Sequence, residues 1–131
     1  MALAQEPRLL LLDEPTAHLD LRYQVALLEL LRELNRGGLT IVASIHDLNL
    51  AAMYFPRLLV LRSGAVVADG PPADVLTSKR LWEAFRARVL VQRHPVLDVP
   101  HIVPLPDRPA VVPEQDGLQE ERHASKETEH V

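Results

Sequence analysis

The stretch LLLLDEPTAHLD, Leu9 to Asp20, decides the fold. Four leucines in a row make a short, wholly apolar run, the pattern of a strand covered on both faces, as in a parallel sheet. The run ends on two adjacent carboxylates, Asp13 and Glu14, and then on a proline that forbids its continuation. Charge placed directly after a buried strand marks the strand's carboxyl end, where open α/β sheets hold their ligands. Taken alone, Asp-Glu-Pro is an ordinary solvated turn, so what surrounds it has to decide its meaning.

Outward from that stretch, Val25, Leu27, Leu28, Leu31 and Leu34 recur at steps of three and four, which predicts an amphipathic helix over Leu21 to Arg36. Gly37 and Gly38 close it, since glycine takes the left-handed cap conformation cheaply. LTIVASI, Leu39 to Ile45, is a second buried-strand pattern, rich in β-branched residues. Strand, helix and strand at this spacing form a βαβ unit with parallel strands. His46 therefore leaves its strand at the same rim as Asp13 and Glu14. A carboxylate pair there can hold a hydrated Mg²⁺ with one member and orient or deprotonate water with the other, while a histidine facing them can hydrogen-bond a terminal phosphate.

Further on, Asp47 caps a helix through Leu48 and Tyr54 that stops near Pro56. Leu58 to Leu61 reads as a third strand, Ser63-Gly64 as a hairpin turn, and Ala65 to Asp69 as its return strand. Pro71 and Pro72 open a short helical turn, and Ser78 caps a helix carrying Leu81, Trp82 and Phe85. Trp82 and Phe85 read as packing residues, and Met53 and Tyr54 as core or semi-core. Val89 to Gln92 makes one more strand. Beyond His94, six prolines within nineteen residues suit an extended covering segment better than regular structure, and they set His94 and His101 apart as unrelated residues.

The 131 residues suit one domain, read as 1–106, followed by an acidic tail, 107–131, whose composition predicts disorder. Acids and bases balance up to Pro106, so the net charge of −4 lies wholly in that tail. No basic stripe argues for a nucleic-acid partner. No apolar run approaches the roughly 20 residues of a membrane-spanning helix, which predicts no direct membrane insertion and a cytoplasmic location. With no cysteine, disulfide staples and thiolate metal sites are excluded.

LLLLDEPTAHLD resembles the Walker B motif and following D-loop of ATP-binding cassette (ABC) ATPases, and SIHDLN resembles their switch-histidine segment. The similarity extends through GAVVADGPPADVL to about residue 105. It implies an α/β, P-loop NTPase type of fold with a parallel βαβ core, a C-terminal hairpin and small helices. It also implies ATP and Mg²⁺ as ligands, with Asp13 holding the metal through water, Glu14 as the catalytic carboxylate, His46 on the γ-phosphate and Asp20 against the facing subunit. A second ATPase subunit, in a homodimer, and an integral membrane permease are the partners implied, with the assembled protein peripheral to the inner face of the membrane. HDLNLAAMYFPRLLVLRSGAVVADGPPADVL further resembles ATPase subunits of importers for iron-siderophores, haem or cobalamin.

The pattern is incomplete. No G-x-x-x-x-G-K-[ST] phosphate loop occurs, the glycines being 37, 38, 64, 70 and 117 and the first lysine Lys79, and the signature serine with its two glycines is missing. Residues Met1 to Pro7 read like the tail of the helix that follows the signature. The chain thus resembles the C-terminal half of such a subunit, inactive alone. In the related fold the phosphate-loop strand lies inside the sheet, so a gap or a new edge is expected beside the 39–45 or 58–61 strand. Two other readings stand beside this one: a non-catalytic half-cassette acting as a binding module, and part of a soluble, ribosome-associated ABC protein.

Overall fold

The computed structural model describes residues 8–107. The reading of Met1 to Pro7 as a helix tail, and that of the acidic tail past Asp107, lie outside the described residues. Strand β1 (Leu9–Asp13) is followed by helix α1 (Leu21–Arg36) and strand β2 (Thr40–Ser44), and β1 and β2 pair in parallel from Leu9↔Thr40 to Asp13↔Ser44. This is the βαβ unit that the two apolar runs and the intervening 3.6-residue period dictate. Helix α2 (Leu48–Tyr54) leads to an antiparallel hairpin of β3 (Leu58–Arg62) and β4 (Ala65–Gly70). Ser63 and Gly64, with φ of 50° and 78°, form the tight turn, both in the left-handed region that two-residue hairpins favour. Short helices α3 (Pro72–Val75) and α4 (Ser78–Phe85) precede a second antiparallel hairpin, β5 (Val89–Arg93) with β6 (Pro100–Pro104).

Two clusters of buried side chains hold these pieces. Leu10, Leu28, Leu31 and Leu50 close α1 and α2 over the parallel pair, with Met53 and Tyr54 half-buried against them. Ala52, Val60, Ala68, Val75, Leu76, Leu81 and Ile102 form the other. Helix α2 feeds both clusters from one turn, through Leu50 and Ala52. It is also clamped at two points. The Arg32 guanidinium donates to the Met53 carbonyl at 2.8 Å and lies 4.6 Å from the centre of the Tyr54 ring. The Asn49 amide donates to the Ile102 carbonyl at 3.1 Å and accepts from its N–H at 2.7 Å, which docks β6 onto the helix.

Several expectations need correction. The strand predicted to be covered on both faces is covered on one: Leu10 is buried, whereas Leu11 is 68% exposed beside Val42 at 51%. Gly37 is not the left-handed cap of α1 (φ −75°); Gly38, at φ 105°, reverses the chain instead. Thr77 rather than Ser78 caps α4, its hydroxyl accepting from the Arg80 N–H at 3.2 Å. The proline-rich segment contains regular structure, because Pro100 and Pro104 sit at the two ends of β6 and leave His101 to Val103 free to pair. His94 and His101 are brought edge to face, ring centres 5.8 Å apart. Trp82 and Phe85 are half-exposed, at 45% and 52%, since α4 buries only Leu81. Among the described residues β2 pairs only with β1, and β3 only with β4, so each keeps an unpaired edge, the new edge expected beside these strands.

Candidate functional site

Parallel register does the first part of the assembly. Because Asp13 lies opposite Ser44 at the last rung, the residues that follow each strand emerge side by side on one rim. Beyond Asp13 the chain turns sharply. Glu14 adopts φ 46°, a left-handed conformation that costs a non-glycine residue free energy, and its carbonyl accepts from the Ala17 N–H at 3.0 Å. This turn swings the Glu14 side chain toward the end of β2. There the His46 ring meets it, with Nε2 2.5 Å from Glu14 Oε1, so that the Nε2–H donates to the carboxylate. The His46 side chain is 84% exposed and that of Glu14 45%, so both face solvent.

Asp13 is held differently. Its Oδ1 accepts from the Ser44 hydroxyl at 2.8 Å, and the same hydroxyl oxygen accepts from the Glu14 N–H at 2.8 Å. The other carboxylate oxygen of Asp13 makes no hydrogen bond to a described residue. Asp47, next to His46, turns away to cap α2, its Oδ1 accepting from the N–H groups of Asn49 and Leu50 at 3.0 and 3.1 Å. That cap fixes where α2 starts and so where His46 stands.

Of the residues singled out from the sequence, Asp13, Glu14 and His46 are brought together. Asp20 is not: it occupies the N-cap position of α1 without a side-chain capping bond and makes no hydrogen bond or ion pair with the other three. Ser44 was missed by sequence reasoning. Only the strand register, Asp13 opposite Ser44, reveals it, because the two apolar runs differ in length and do not fix their own alignment.

A hard cation such as Mg²⁺ prefers oxygen ligands and keeps several waters, with one or two carboxylates and substrate phosphates completing its shell. The free oxygen of Asp13 at an exposed rim fits that requirement. Among the described residues no group of three or more His, Cys, Asp or Glu side chains is gathered as a metal cage, so water and phosphate would supply the remaining ligands. The rim is an open surface. A cleft between α1 and α2, lined by Leu28, Arg32, Tyr54 and Phe55, lies beside Thr40 at the other end of β2.

Comparison with known proteins bears on the fold. The family model described as "AAA domain, putative AbiEii toxin, Type IV TA system" matches residues 1–52, a span that includes both strands of the parallel pair and all of Asp13, Glu14, Asp20 and His46. A solved structure described as "an inward-facing conformation of a putative metal-chelate type ABC transporter" superposes with a TM-score of 0.71 at 31% identity, over 80% of this chain and 43% of that one. The fold is that of part of an ABC transporter ATPase domain. The structure of cbiO1 from Clostridium perfringens, part of the ABC transporter complex cbiONQ, matches this ABC-type fold over 62% of the chain and 33% of its own, with a TM-score of 0.54 and 34% identity. Among curated relatives, the ferric enterobactin transport ATP-binding protein FepC of Escherichia coli (strain K12) is 45% identical over 106 residues, 80% of this chain and 39% of that protein. The hemin import ATP-binding protein HmuV of Deinococcus radiodurans is 52% identical over 96 residues, 73% of this chain and 37% of that protein. The chain thus spans under two fifths of the length of either relative.

Proposed function

We propose that this chain supplies the Walker B and switch-histidine part of an ABC-type ATPase that drives import of an iron chelate, haem or cobalamin. The observation that carries the reading is the contact between Glu14 and His46, made by residues 32 apart in sequence at the rim where Asp13 also emerges. The names of the relatives, ferric enterobactin transport and hemin import, support the class of solute.

In this reading Asp13 holds the water shell of Mg²⁺ through its free oxygen. Bound there, Mg²⁺ supplies charge neutralisation for the phosphates. Glu14 orients the attacking water and accepts its proton. His46 fixes the Glu14 carboxylate and presents its ring toward the terminal phosphate, and Asp20 reaches a facing ATPase subunit. The assembled protein sits at the cytoplasmic face of a membrane against an integral permease, with no nucleic acid involved.

Residues 1–131 contain no glycine-rich phosphate loop, so ATP would meet two carboxylates with no wrapped amides or lysine to offset their repulsion. The chain alone therefore turns over no ATP. The bare face of the parallel pair, with Leu11 and Val42 exposed, favours its pairing with a polypeptide that carries the loop. Phosphate release tests this directly. The chain alone should give none, and the assembly with a loop-bearing segment of a relative should show magnesium-dependent turnover that Glu14→Gln abolishes. Turnover by the chain alone that disappears in Glu14→Gln overturns the need for a partner, and an assembly indifferent to Glu14→Gln overturns the site.

A further inference from the structure

We propose that Ser44 is a positioning residue of this site, the single hydroxyl that ties its two carboxylate residues into one unit. The proposal rests on the nucleotide-site reading above for what the positioning serves, and on hydrogen-bond geometry for the positioning itself. Ser44 Oγ donates to Asp13 Oδ1 and accepts from the Glu14 N–H, both at 2.8 Å. A hydroxyl can do both because it carries one donor and two acceptor lone pairs. Alanine can do neither.

Each bond answers a specific need. Glu14 sits at φ 46°, and a residue in that region stays there only when its surroundings hold it. Its N–H points back across to β2, and the Ser44 oxygen is the acceptor that pins it. That pin is what keeps the Glu14 side chain turned toward His46, whose own position is set by the same strand two residues further on. On the other side, a carboxylate free to rotate offers either oxygen to a cation. Tying Oδ1 to Ser44 leaves Oδ2 as the oxygen available for a metal's water shell. The register that makes this possible is the last rung of the parallel pair, Asp13 opposite Ser44.

Ser44 is exposed, so its replacement removes no buried packing. This separates positioning from a merely structural role. Ser44→Ala and Ser44→Thr are compared with the wild type in the full chain by two readouts: backbone amide hydrogen exchange, and broadening of amide resonances by added manganese(II) ion. In Ser44→Ala the Glu14 amide should exchange about tenfold faster, the factor a net hydrogen bond of this kind is worth. The Leu10 and Leu28 amides should keep their wild-type rates, and the manganese concentration that broadens the Asp13 and Glu14 signals should rise severalfold. Ser44→Thr, which keeps the hydroxyl and suits a strand, should restore both readouts.

The proposal is overturned if Glu14 exchange and the manganese midpoint in Ser44→Ala stay within about twofold of wild type. It is overturned equally if threonine restores neither, or if Leu28 exchange accelerates along with Glu14, which would make Ser44 a general stabiliser. Broadening that persists in Asp13→Asn counts against the cation reading of the site. The Glu14 exchange comparison then still judges Ser44 by itself.

Discussion

Glu14 carries two demands at once: a backbone in the left-handed region and a side chain in hydrogen-bond contact with His46. Strain of this sort is retained where surrounding contacts over-determine it, and here the Ser44 hydroxyl and the Glu14-to-Ala17 turn do so. For a water-activating carboxylate, Glu14→Gln should lower turnover of the assembled protein about 10²- to 10⁴-fold with little change in KM. His46→Ala should lower turnover as well, because the carboxylate loses the donor that orients it. Steady-state phosphate release reads both, and a Glu14→Gln assembly with wild-type kcat would contradict the assignment. The proximity of Asp13, Glu14 and His46 was legible in the sequence for a simple reason: parallel strands deliver whatever follows them to a common rim. Ser44 was not legible without the register, because an isolated serine at a strand end carries no signal of its own. Asp20, expected against a facing subunit and not at this rim, makes no side-chain capping bond at the start of α1.

At the scale of elements, α2 is the hinge between the two clusters of buried side chains, and Asn49 is what fastens it to β6. Asn49→Ala leaves the Ile102 N–H and carbonyl without their partner, so it should destabilise the fold by roughly 1–3 kcal/mol. Urea denaturation measures that loss directly. The β3–β4 hairpin offers a pH test. Arg57 donates to both carboxylate oxygens of Asp69 at 2.8 Å, and that hydrogen bond holds the Asp69 carboxyl below its ordinary range. A folded-state pKa lowered in this way adds stability above the unfolded-state value, and the gain is lost as pH falls through the lowered folded value. Asp69→Asn should therefore flatten the acid side of the stability profile and leave its neutral side lower. Helix α1 was readable from its apolar period, and α2 from its Asp47 cap and the proline that follows it. Strand β6 was hidden because proline count misleads when the prolines bracket a strand instead of interrupting it. Thr77 displaced Ser78 as a cap because either hydroxyl suits the position, and only backbone geometry chooses between neighbours.

Across the whole molecule, the parallel pair is the departure from what its sequence predicts. Strands this apolar normally lie between two layers of helix, yet Leu9, Leu11 and Val42 are exposed on one face while α1 and α2 cover the other. Among the described residues that face is bare and the strand edges are unpaired, which favours self-association. Leu11→Lys should reduce it, with sedimentation velocity showing a shift toward monomer and thermal unfolding little changed. An unchanged distribution would mean that this face is not the one that associates. The fold class was legible because two apolar runs frame an amphipathic helix, a βαβ unit of the right length. Among the described residues the strands pair only in twos, β1 with β2, β3 with β4 and β5 with β6.

Everything proposed for this chain depends on the ends of β1 and β2 meeting. The most direct test is a nuclear Overhauser measurement in the full chain between the ring protons of His46 and the side-chain methylene protons of Glu14. The account predicts a cross-peak between them, carried by the 2.5 Å approach of Nε2 to Oε1. A His46 ring that instead shows contacts only to residues at the start of the strands, such as Leu9 or Thr40, would contradict it.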